Sequence, residues 1–193
     1  MTLDELLNKI AGEPPRAFEQ EVHVASPELI AEVHRRGWMR LTDFTSDPRR
    51  TLERRTLRRG HVLGPGAPPA DLDAWRTRWR LHPLPQDLVE LLSKVNGIHL
   101  WADLDSGRSY EGLAPLDEWD LARVKMWGPD ADAGALPDRY LGLSYHADGA
   151  AFLVLNTDTG RYSLMDSCGA DESCVVGENV GDLLDWLWEH RLR

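Results

Sequence analysis

Few residues in this chain carry nucleophile, base or metal-ligand chemistry. Ser144, His146 and Asp148 have the side-chain types of a hydrolytic triad and stand at alternate positions. A triad needs three groups that converge in space, and one strand running into its own turn holds these three too close along the chain to converge. No G-x-S-x-G elbow frames Ser144. His146 falls on the outward phase of its strand and reads as a solvated histidine. Cys168 and Cys174 read as free thiols, since a non-secreted chain keeps such cysteines reduced. Asp166, Asp171 and Glu172 beside them do not complete a metal-ligand spacing. H-E-x-x-H, dinucleotide-binding glycine and paired-carboxylate patterns are missing from the sequence. The expectation is a protein that is not an enzyme and holds neither cofactor nor metal.

The charge is unevenly distributed. Of the net −10, residues 1–80 carry 14 Lys and Arg against 12 Asp and Glu, and residues 81–193 carry 8 against 20. The acidic second part should repel nucleic acid and suits a basic protein partner, although acidity also serves plain solubility. The 49–59 stretch, RRTLERRTLRR, is the opposite extreme. It lacks interleaved aromatics, and an acidic region follows it, so internal docking on acidic residues or a solvated helix is expected rather than nucleic-acid binding. Apolar runs are too short to span a bilayer, and the N-terminus lacks a basic region followed by an apolar block. No membrane association and a cytoplasmic location are expected.

The elements that must position these residues follow from spacing. Leu3, Leu6, Leu7 and Ile10 predict a first helix over 2–10, stopped by Pro14-Pro15. Val22–Val24 reads as a short strand, and Ser26-Pro27-Glu28 starts a helix that buries Leu29, Ile30 and Val33 and stops at Gly37. Trp38–Phe44 reads as a strand. Residues 64–69, GPGAPP, read as a linker, dividing an N-terminal extension, 1–70, from a main domain, 71–193. Leu72, Trp75 and Trp79 predict a helix over 71–79, and Leu88, Leu91, Leu92 and Val95 predict another, ended by Asn96-Gly97. Strands are expected at Ile98–Trp101 and Tyr110–Leu113, and a short helix over 118–125, capped by Asp117. Residues 140–166 give the clearest signal, an antiparallel meander of three strands with turns at Asp148-Gly149 and over 156–160. Its middle strand, 151–155, is apolar at every position, as for a strand covered on both faces. A strand at Cys174–Val176 and a last helix capped by Asn179, with Val180, Leu183, Leu184 and Leu187 inward, complete the chain. The class is α+β, a central, mostly antiparallel sheet flanked by helices.

Several short motifs recur in a family-like order. They are Leu84-Pro85 followed by Asp87-Leu88 and Leu91-Leu92; Val95-Asn96-Gly97; Gly112-Leu113-Ala114-Pro115-Leu116; Asp148-Gly149 with Phe152; Thr159-Gly160; and Asp166 with Gly169. In this order they resemble the SMI1/KNR4 family of the SUKH superfamily, over residues 71–193. Ile98 stands where members often carry a second glycine, and residues 1–70 have no counterpart in the pattern. The resemblance implies a bacterial immunity protein that binds a cognate toxin, often a nuclease, in the producer's cytoplasm. It also covers regulatory scaffolds, the alternative reading, and neither role is catalytic.

A toxin with a basic surface would meet acidic residues and aromatic anchors. The candidates for partner binding are Trp101, Asp103, Asp105, Glu111, Asp117, Glu118, Asp120, Asp171 and Glu172, with Trp119 and Trp127 as further anchors. The alternative reading makes Trp101 core and the acids helix caps and solvated loops. Nothing in the sequence sets the oligomeric state.

Overall fold

The computed structural model describes residues 1–36, 47–105, 111–130, 132, 136–146, 151–166 and 172–190. They form an α+β fold with two antiparallel sheets. In chain order the elements are α1 (Leu3–Gly12), β1 (Arg16–Ala25), α2 (Pro27–Arg36), β2 (Arg50–Leu63), α3 (Pro69–Arg78) and α4 (Gln86–Lys94). Then come β3 (Ile98–Asp103), β4 (Gly112–Leu113), a 3-10 turn (Leu116–Glu118), β5 (Asp120–Leu121) and α5 (Ala122–Trp127). The meander β6 (Tyr140–His146), β7 (Ala151–Asn156) and β8 (Arg161–Asp166) leads into β9 (Glu172–Gly177) and α6 (Val180–Glu189). The expected strand at Trp38–Phe44 and the Asp148-Gly149 turn lie outside the described residues.

The chain divides into two compact units, one of residues 1–15 with 59–193 and one of residues 16–58. In the smaller unit β1 and β2 are sheet neighbours. Leu29 of α2 is fully buried, whereas Ile30, expected inside, is 46% exposed. The arginine-rich stretch is a strand, not a helix. Part of it does dock on acids: the Arg49 guanidinium lies 2.6 Å from the Asp47 carboxylate and 2.7 Å from that of Glu32. Hydrogen bonds from that guanidinium hold the Asp47 carboxyl down at about 2.

The larger unit is built on β7. Phe152, Leu153, Val154 and Leu155 are all buried, and successive side chains serve opposite faces. Leu153 and Leu155 join the main core with Leu141 and Leu143 of β6, Tyr162 of β8, and the apolar stripes of α3, α4 and α6. Phe152 and Val154 join a smaller cluster with Ala122, Leu136 and Met165. The register sets Leu155 opposite Tyr162 and Phe152 opposite Met165, so each face is continuous across strands. Helix α5 covers the second face closely: a Cβ on Gly142 would come within 2.7 Å of Lys125 Cδ. Helix α6 starts at Asn179, whose side chain accepts the Asp182 N–H, and buries Val180, Leu183, Leu184 and Leu187.

The 64–69 stretch lies inside this unit. Gly64 N–H donates to the Gly97 carbonyl (2.9 Å) and Ala67 N–H to that of Leu92 (2.8 Å), so the segment is fastened to the end of α4. Helix α4 ends at Val95, whose backbone is already extended (φ −143°), rather than at the expected Asn96-Gly97; Gly97 takes φ 105° in the turn that leads into β3. The helix expected over 118–125 is shorter, because Asp120 and Leu121 pair with Gly142 and Leu141 of β6 and only 122–127 is helical.

The Tyr162 hydroxyl is buried without a hydrogen-bond partner among the described residues. Burial, and secondarily the Asp87 charge, push its pKa well above the usual tyrosine value. Removing an unsatisfied buried hydroxyl relieves a desolvation cost. Tyr162→Phe should therefore leave stability unchanged or raise it by up to about 1 kcal/mol in urea unfolding. A loss of more than about 1 kcal/mol would show that the hydroxyl is bonded.

Candidate functional site

Residues 71, 74, 75 and 78 of α3 fall at i, i+3, i+4 and i+7, one helical face. They are Asp71, Ala74, Trp75 and Arg78. Together with Asn96, Leu116 and Asp117 they line an open pocket of about 430 Å³. The opposite wall is held by short-range bonds. Asn96 Oδ1 accepts the Leu116 N–H at 2.7 Å, tying the 3-10 turn to the end of α4. Trp119 Nε1 donates to the Ala114 carbonyl at 2.8 Å, and the Trp119 ring meets Trp75 edge to face with centroids 5.8 Å apart. Trp75 is 6% exposed, a fixed aromatic wall. It is shared with a second cavity of about 310 Å³, lined also by Trp79, Arg80, His82, Leu84 and Gln86.

The pocket lining carries two acids, Asp71 and Asp117, and two more, Glu118 and Asp120, follow closely in the chain. Asp71, Asp117 and Glu118 are exposed, and Asp120 is half-buried. The one cation of the lining, Arg78, packs over the Trp79 ring at 4.9 Å and lies 3.9 Å from the Asp120 carboxylate. Behind the turn, Lys125 Nζ donates to the Glu118 carbonyl at 2.5 Å. Burial lowers the Lys125 pKa, and the Glu118 and Asp120 charges oppose that shift. The larger unit as a whole holds 13 Lys and Arg against 25 Asp and Glu, a net −12.

Of the candidate residues, Asp117 lines this pocket; Asp120 lies 3.9 Å from Arg78 of the lining, and Glu118 is exposed beside Asp117 but outside the lining. Asp71 was not singled out from the sequence; its signal was the helical spacing to Trp75. Trp101 and Glu111 are not surface residues, with exposures of 4% and 6%. The cause at Trp101 is local. The β2–β3 register shifts between Gly60 and Val62, and Trp101 takes φ 51°, so Leu100 and Trp101 are both buried although adjacent. The Trp101 N–H donates to His61 Nδ1 (3.3 Å), and the two rings lie 4.8 Å apart. Glu111 is drawn in by the pairing of its carbonyl with the Leu100 N–H.

Asp103 caps the turn after β3 by accepting the Asp105 N–H at 3.0 Å. Asp171, the Glu172 side chain and Cys168 lie outside the described residues. Trp119 is core, and Trp127 is 42% exposed. Cys174 is a free, exposed thiol. Ser144 does not face outward as alternation suggested. A register shift between Gly142 and Ser144 turns it inward, where it is 7% exposed and donates to the Gly112 carbonyl at 2.8 Å. The His146 side chain is outside the described residues. Among the described residues, no group of three or more His, Cys, Asp or Glu is placed to hold a metal ion, and no helix is long and apolar enough to cross a membrane.

A buried Lys125 makes a signed prediction. Its folded pKa is depressed, so the unfolded chain binds this proton more tightly. Its contribution to stability therefore rises as pH climbs from the depressed value towards 10.5. In urea unfolding between about pH 8 and about pH 10, the stability of the native chain relative to Lys125→Met should rise with pH. A difference that stays flat over that window would place Lys125 in water.

A scan against protein-family models gives no match for this chain, and no curated protein matches it.

Proposed function

We propose that this chain is a non-catalytic immunity protein of the SMI1/KNR4 type. It binds a cognate toxin with a basic surface and neutralises it in the producer's cytoplasm. The observation that carries this reading is the pair of acids, Asp71 and Asp117, lining a pocket with a buried indole wall, with Glu118 and Asp120 following in the adjoining turn, on a unit of net −12. A nuclease toxin presents a basic cleft for phosphates. An acidic surface of this kind attracts such a cleft over a Debye length, about 8 Å at physiological salt, and accelerates encounter. The fixed Trp75 wall offers shape on which a partner side chain can be buried. Inhibition would follow from occupying the cleft and needs no chemistry from this chain.

Co-expression with a toxin encoded beside it should rescue growth, and the two proteins should co-purify. Reversing Asp71, Asp117 and Glu118 together to Lys should weaken the complex by at least about a hundredfold and flatten its salt dependence. Rescue with no detectable complex would rule out direct inhibition. Recovery of several unrelated partners in place of one would move the reading to a regulatory scaffold.

A further inference from the structure

We infer that the pocket between α3 and the 3-10 turn is a receptor for a single arginine side chain of the partner. This rests on the proposed partner-binding role and names the group that would anchor it.

Asp71 and Asp117 supply carboxylates from two separate elements that line the same pocket. Trp75 supplies an aromatic wall held in place by Trp119. Ala74, between them on the helix face, contributes only a methyl, and its small size leaves volume open. Arg78 lines the same pocket, its guanidinium over the Trp79 ring and 3.9 Å from the Asp120 carboxylate, so the lining holds two carboxylates against one cation.

An occupant must therefore be cationic, rich in donors and compatible with an aromatic neighbour. A guanidinium meets all three: it is planar, carries five N–H donors, pairs with carboxylates in bidentate fashion and sheds water more readily than an ammonium. A lysine would satisfy one carboxylate as a point charge and lose the rest. The second cavity is lined by Arg76, Arg80 and His82 and does not suit a cation.

The test uses the full chain and does not require the toxin. N-acetyl-L-arginine amide is titrated while the Trp75 indole N–H and the Ala74 and Leu116 amides are followed by NMR. The neutral isostere N-acetyl-L-citrulline amide and N-acetyl-L-lysine amide serve as controls. Saturable shifts at these three positions are expected for arginine, weaker shifts for lysine, and none for citrulline.

Asp71→Asn with Asp117→Asn should weaken arginine binding by about tenfold or more, the scale of one lost charge-assisted contact. Ala74→Leu, an exposed substitution that keeps every charge, should block it. The inference is overturned if citrulline equals arginine, if shifts fail to saturate or fall elsewhere, or if either variant binds as the native chain does. A toxin complex that forms without arginine binding in this pocket would remove the inference and leave the immunity reading. Arginine binding in a chain that captures no toxin would do the reverse.

Discussion

Everything in the larger unit hangs on β7 being covered on both faces. Phe152 to Leu155 are buried without interruption, so neither face of the meander is free to carry a polar site. One face needs the stripes of α3, α4 and α6, and the other needs α5 and Met165. The strand thus fixes which faces of the helices point inward, and by elimination which face of α3 is left at the surface. Leu72 and Trp75 turn towards the core; Asp71, Ala74 and Arg78 stay at the rim. The pocket results from this packing, closed on its far side by a turn that Asn96 holds in place.

The same constraint leaves the exposed polar groups at the edge. A buried meander contributes rigidity, and polar groups collect on the turns and helix ends around it. Lys125 shows the cost of crowding there. It reaches the Glu118 carbonyl along a half-buried path over Gly142, and burial weakens its hold on a proton. Of the acids beside it, Glu118 is exposed and Asp120 half-buried.

Much of this was legible from spacing. The stripes at Leu88, Leu91, Leu92 and at Val180, Leu183, Leu184, Leu187, the Asn179 cap and the all-apolar β7 read correctly, because each depends on local chemistry. Several errors share one cause, pairing between distant strands. Arg50–Leu63 has helix-forming arginines but is a strand, and its last residues pair with β3. Asp120-Leu121 has helical spacing but pairs with β6. Two register shifts then overrule alternation, turning Ser144 inward and burying Trp101 beside Leu100. The candidate site was half visible: Asp117, Glu118 and Asp120 stood out as a charged run. Asp71 was hidden as an ordinary first-turn acid, because only the fold brings α3 beside the 3-10 turn.

We propose that this chain acts by direct binding through the α3 face and the turn opposite it. Hydrogen exchange of the full chain, alone and with the protein encoded beside it, addresses that claim most directly. Binding through this face adds protection at residues 69–78 and 114–121 and leaves β7 unchanged, because it is already buried. Protection confined to other surfaces would contradict the assigned site, and a partner that neither binds nor protects any segment would contradict the claim itself.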